Sequence, residues 1–124
     1  MDFGGNESRL LLQLMSACNL RQRVLADNIA NESTPGFKRR VVRFEELLGK
    51  ALDDSADGRR AIDWAAITPR IEADATPPAG TDGNNVNLEL ENTALRENRL
   101  LYEAYASILE TRTKMLEASI REGR

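Results

Sequence analysis

Two asparagines three residues apart, Asn28 and Asn31, close the stretch LADNIANESTPGFKRR before a basic run. A carboxamide both donates and accepts, so at this spacing it can bond backbone groups, cap a helix end or join a cation site. The cation reading is the weakest, because hard cations require carboxylates as well. TDGNNVN, Thr81 to Asn87, returns to the same side chains with an Asp-x-Asn spacing. The glutamate, central glycine and flanking ligands of a calcium loop do not fall in line, so calcium is rejected. Histidine is absent and Cys18 is the single cysteine. That removes Ser-His-Asp and Cys-His nucleophiles, ordinary zinc sites and intramolecular disulfides. Since no carboxylate pair is set apart by its surroundings, we assign no catalytic, cofactor-binding or metal-binding residue. The chain does not read as an enzyme.

Two readings of the asparagine pair stay open. In one, Asn31 is a C-terminal helix cap in left-handed geometry and Asn28 is tolerated at the surface. In the other, both amides bond backbone groups of the turn or of a neighbouring helix and fix register, as polar residues do in coiled coils. The basic run KRRVVR, Lys38 to Arg43, is either a solvated loop edge or a contact for acidic surfaces or phosphate. Cys18, among apolar neighbours at helical spacing, reads as a buried thiol.

These side chains need elements to position them. Leu11, Met15, Cys18, Leu25 and Ile29 recur at helical spacing, predicting a helix from about Asn6 to Asn31 with Asn6 as N-cap. Pro35 biases Thr34 away from the helical region, and Pro35-Gly36 suits the centre of a type II turn. Val41, Val42, Phe44, Leu47, Leu48 and Leu52 suggest an extended entry and one or two helical turns. The acidic stretch 53–86 shows no sustained period and is expected to be a flexible linker. Trp64 within it either docks elsewhere or packs on its own helices.

The last segment, 87–124, is the strongest signal. No proline or glycine interrupts it from Asn87 to Ile120, and two rows repeat every seven residues. One is Ala94, Leu101, Ile108 and Met115; the other is Leu95, Tyr102, Leu109 and Leu116, with Tyr105 between them. That period describes a coiled-coil-like seam on one long helix capped by Asn87. Glu110 with Lys114 and Glu117 with Arg121 form supporting pairs four residues apart.

The expected architecture is therefore mainly α, in one structural domain. Two long terminal helices, 1–31 and 87–124, pair as an antiparallel coiled-coil-like hairpin. The turn, basic run and short helix occupy 32–52, and a long irregular loop follows. About 25 residues of the first helix span roughly 37 Å and about 33 of the last roughly 50 Å, leaving about eight residues of the longer helix without a partner. Association is the simplest remedy for the exposed apolar stripe.

Composition agrees with a soluble protein of 124 residues and net charge −3, placed as zero over 1–31, +2 over 32–50, −4 over 51–85 and −1 over 86–124. No block is basic enough for a nucleic-acid-binding domain. The longest aliphatic run, Leu10 to Leu12, is far short of the roughly 20 residues of a membrane span. MDFGGNESR has no basic head or cleavage site, so no cleaved signal peptide is expected.

RQRVLADNIANESTPGFK, Arg21 to Lys38, resembles the N-terminal signature of the bacterial flagellar rod and hook axial proteins. That signature runs as a leucine-containing helix, Asn-Ile-Ala-Asn, two variable residues and Thr-Pro-Gly-Tyr-Lys. Asn28, Ile29, Ala30, Asn31, Thr34, Pro35, Gly36 and Lys38 match it, and Phe37 replaces the tyrosine. With Arg21, Gln22 and Leu25 of the preceding helix, these are the assembly residues that the resemblance implies. The C-terminal segment is also similar to the family's second terminal helix, although Asn92 follows Glu91 where methionine often follows the acid. Short length and the lack of a β-rich insert point to a proximal-rod type, with the FlgC type as the near alternative.

The resemblance implies a structural role: export through the flagellar type III gate and polymerisation into the torque-transmitting rod that spans the periplasm. Implied partners are FlgC-, FlgF- and FlgG-type rod subunits, the FliE-type rod-base protein, the export gate and further copies of the chain. No cofactor, nucleic acid, small-molecule substrate or membrane insertion is implied. On this reading Asn28 and Asn31 set register at subunit contacts, while Lys38, Arg39 and Arg40 meet acidic surfaces of neighbours. A soluble helical export adaptor or chaperone is the alternative from another class; it uses the same seams but needs no Pro-Gly turn.

Overall fold

With neither proline nor glycine between Asn6 and Asn31, the first segment forms a continuous helix, α1, over Gly5–Ala30. The computed structural model describes residues 5–57 and 61–123. Leu11, Cys18 and Leu25, seven apart, are buried, and so are Ala17, Val24 and Asn28 around the helix from them. Thus α1 is covered on two sides. Asn6 lies inside the helix rather than capping it, because helical backbone already begins at Gly5.

The turn after α1 follows the expected pattern. The Phe37 N–H donates to Thr34 O at 3.2 Å, and Gly36 has φ of +74°, a left-handed conformation that glycine adopts without steric cost. Asn31 is not a left-handed cap, since no described non-glycine residue has positive φ. Its amide instead bonds Asp27 O at 2.8 Å, and its carbonyl accepts from the Thr34 hydroxyl.

The middle of the chain corrects the expectation of a long irregular loop. Arg40–Arg43 form strand β1, which pairs antiparallel with β2, Arg70–Ala73, in the register Arg40 to Ala73 and Val42 to Ile71. All four residues of β2 are exposed and only Ile71 is a large hydrophobe, so no apolar alternation marks it as a strand. Helix α2, Glu45–Ala56, is longer than the one or two turns expected. It starts after Phe44, which caps nothing with its side chain and is wholly buried.

Phe44, Leu48 and Ile67 join Ala17 of α1 in the main apolar cluster, flanked by Leu10, Leu14, Ala51, Ile62 and Trp64. Trp64 opens a single 3-10 turn, Trp64–Ala66, and the Arg9 guanidinium lies over its ring, 5.4 Å from the centroid. Of the two readings of Trp64, the structure shows local packing.

Helix α3 runs Leu88–Glu122, with the Asn87 side chain accepting from Glu89 N–H at 3.0 Å and Leu90 N–H at 3.4 Å. Its 35 residues span about 52 Å, against about 39 Å for the 26 of α1. The two helices pack together. Asn28 meets Glu91, Cys18 and Gln22 meet Asn98, and Glu7 pairs with Arg112, so the contacts descend along α1 as they climb α3. From Thr113 to Gly123 every residue is exposed.

Candidate functional site

The conspicuous residues of the sequence gather where the end of α1, the start of β1, the approach to α3 and its first turns meet. Asn28 is wholly buried. Its Oδ1 accepts from Arg40 N–H at 2.9 Å, while Nδ2 donates to Arg40 O at 2.8 Å and to Glu91 Oε2 at 3.2 Å. The amide thus pairs with the edge of β1 as another strand would, and ties that edge to α3. Its bonding capacity is used inside one chain, where it holds backbone of β1 and a side chain of the neighbouring helix α3.

Arg39 supplies the counter-charge. Its Nε donates to Glu91 Oε1 at 2.5 Å, and its Nη1 to Asp74 Oδ2 at 2.5 Å. Glu91 has no exposed surface, and a buried carboxylate persists only when paired and hydrogen-bonded. The bond to Glu91, more than any other contact, raises the pKa of Arg39 and keeps it cationic. Hydrogen bonds from the Thr76 hydroxyl and peptide N–H, helped by Arg39, hold Asp74 below the usual carboxylate range. Arg39 is thus paired with two carboxylates of its own chain, and Lys38 also bonds within the chain, donating to Gly83 O. Lys38 and Arg40 are both exposed and without an ion pair among the described residues, and of the trio only Arg40 has a side chain that bonds no other described residue.

The TDGNNVN stretch works through its amides. Asn84 Nδ2 donates to Asn31 O and Thr34 O, both at 2.8 Å, adding a second bond to two carbonyls of the turn that follows α1. Asn85 Oδ1 accepts from Arg39 N–H at 2.6 Å, and its Nδ2 donates to Asp74 O at 2.7 Å. Gly36 N–H donates to Asp82 O at 2.8 Å, and a Cβ on Gly83 would stand 3.4 Å from Gly36 Cα. The Thr-Pro-Gly turn is thus clamped to the segment leading into α3.

Other motif residues divide between the two faces of α1. Arg21 donates to Val42 O at 3.2 Å and pairs with Glu45 at 2.8 Å; Gln22 accepts weakly from Asn98 at 3.4 Å. Leu25 is buried, Ile29 and Phe37 are half-buried, and Ala30, Thr34 and Pro35 are exposed.

Along α3 the two expected rows behave differently. Leu95, Tyr102, Tyr105 and Leu109 are half-buried, whereas Leu101, Ile108 and Met115 are exposed at 41%, 48% and 67%. Leu116 and Ile120, beyond the reach of α1, are 46% and 62% exposed. Sequence reading missed the row that contacts α1 with polar groups, Glu91, Asn98 and Arg112, with Tyr105 in the same row. Its spacing of seven along an apolar seam was the available signal. Asn98 is buried and donates to Cys18 O at 2.8 Å, while its Oδ1 has no partner among the described residues. Of the expected helix-surface pairs, Glu110 to Lys114 closes at 3.1 Å and Glu117 to Arg121 does not.

A family model described as flagella basal body rod protein matches residues 15–38, the stretch that runs from mid-α1 through the clamped turn. The chain is 32% identical over 116 residues to the flagellar basal body rod protein FlgB of Escherichia coli (strain K12), covering 83% of this chain and 84% of that one. It is also 32% identical over 108 residues to FlgB of Borrelia hermsii, covering 76% and 80%. The chain belongs to the FlgB family of flagellar basal body rod proteins. FlgB of Proteus mirabilis (strain HI4320) extends the likeness to 90% of both chains at 27% identity. Membership of the FlgB family makes this a structural rod protein and not an enzyme. Among the described residues no helix is long and apolar enough to cross a membrane.

Proposed function

We propose that this chain is a proximal-rod subunit of the flagellar basal body, exported through the flagellar type III apparatus and polymerised through its terminal helices into the torque-transmitting rod. The helices act as an antiparallel hairpin with a coiled-coil-like seam. One observation carries the reading: the row Leu101, Ile108 and Met115, prolonged by Leu116 and Ile120, is exposed along a helix that outruns its partner. At about 25 cal/mol per Å² of apolar surface, covering such a row favours stacking of subunits.

The motif residues serve assembly indirectly. They shape the subunit by locking α1, the sheet and α3 in one arrangement, and α3 then presents its uncovered row rigidly. Neighbours in the rod are FlgC-, FlgF- and FlgG-type subunits, the FliE-type base protein and further copies. The test is imaging of purified basal bodies from cells lacking this protein. Basal bodies without a rod are expected, and intact rods in motile cells would contradict the reading.

A further inference from the structure

We infer that copies of this chain contact one another through an antiparallel crossing of α2 on the outer face of α3, held by three charge pairs. The inference deepens the rod-subunit reading and rests on it. Lys50, Asp53 and Asp57 are exposed on the side of α2 opposite the buried Leu48. Arg96, Arg99 and Glu103 are exposed on a side of α3 turned roughly 100–160° from Asn98, which faces α1. None of the six has an ion partner in its own chain among the described residues.

The order of signs fits one direction only. Laid antiparallel, Lys50 meets Glu103, Asp53 meets Arg99 and Asp57 meets Arg96, each pair of opposite charge. The ends of both sets are seven positions apart, about 10.5 Å of helix, and Asp54 beside Asp53 absorbs the one-residue difference in spacing. Laid parallel, Lys50 meets Arg96 and Asp57 meets Glu103, both repulsive. Arg96 and Arg99 also line a groove with Gln22, Asn92 and Leu95 that can seat the edge of a helix.

Geometry sets the consequence. Within one molecule α2 lies on α1 through the Phe44 and Leu48 cluster, whereas Arg96 and Arg99 flank the groove that α3 forms with Gln22 of α1. The two patches are different surfaces, so the contact is head-to-tail and leaves a free patch at each end, as an open helical polymer requires. Exposed pairs contribute direction and specificity more than affinity. The uncovered apolar row, with Leu101 roughly 140–160° around α3 from these charges, is left for a different contact.

Charge swaps test this in cells. Arg96→Glu with Arg99→Glu, and separately Asp53→Lys with Asp57→Lys, are each expected to cut incorporation into basal bodies at least tenfold. Combining all four changes in one chain, or co-expressing the two doubly changed chains, should restore incorporation, because opposite charges then face each other again. Normal incorporation of either double variant overturns the inference. So does failure of both rescues. In either case rods that still require the wild-type chain leave the rod-subunit reading standing, whereas rods that form without it remove both.

Discussion

Asn28 shows how one side chain reverses a propensity argument. By helix propensity alone, Asn28→Ala stabilises α1 by a few tenths of a kcal/mol. In the folded chain the change strips both backbone groups of Arg40 and one oxygen of buried Glu91 of a partner. Unsatisfied buried groups weigh more, so Asn28→Ala is expected to destabilise by about 2–4 kcal/mol, measured by urea unfolding. Asp74 carries a pH signature. Its depressed pKa means that the folded state prefers the carboxylate. The stabilisation is present above the unfolded value of about 4 and is lost as pH falls through the lower folded value. The acid limb of a stability–pH profile should therefore be shallower in Asp74→Asn than in the wild type.

At the level of elements, α1 and α3 were legible because each runs for many turns without a breaker. Gly36 was legible because a turn between proline and a basic run demanded positive φ. β2 was not: four exposed residues with one large hydrophobe carry no period, and the strand exists because β1 offers it a partner. The clamp was half legible. Asn28 and Asn31 stood out by type, but Glu91 and Asn85 look like ordinary surface residues until α3 is laid beside α1. The seam rows were read correctly as apolar, yet spacing alone could not tell the covered row from the exposed one. Asn98 occupies the seam with a carbonyl oxygen that has no partner among the described residues, a cost accepted at a position where polar residues pin register. Asn98→Leu should leave thermal stability equal or raised by about 1 kcal/mol while loosening register. Cross-linking between cysteines introduced at Glu7 and Arg112, in a chain with Cys18→Ala, should be uniform with Asn98 and partial with leucine.

For the whole molecule, an internally finished clamp and an unfinished helix surface belong together. Arg39, Asp74, Glu91, Asn28 and Asn85 bond one another, and Asn84 holds the carbonyls of Asn31 and Thr34. The exposed row of α3 has nothing but partners to gain. The most direct measurement is incorporation of Leu101→Glu with Ile108→Glu into purified basal bodies, alongside thermal unfolding of the isolated chain. Since both side chains are already exposed, unfolding should shift by no more than about 0.5 kcal/mol per site while incorporation is lost. Normal incorporation of this folded variant would contradict the account.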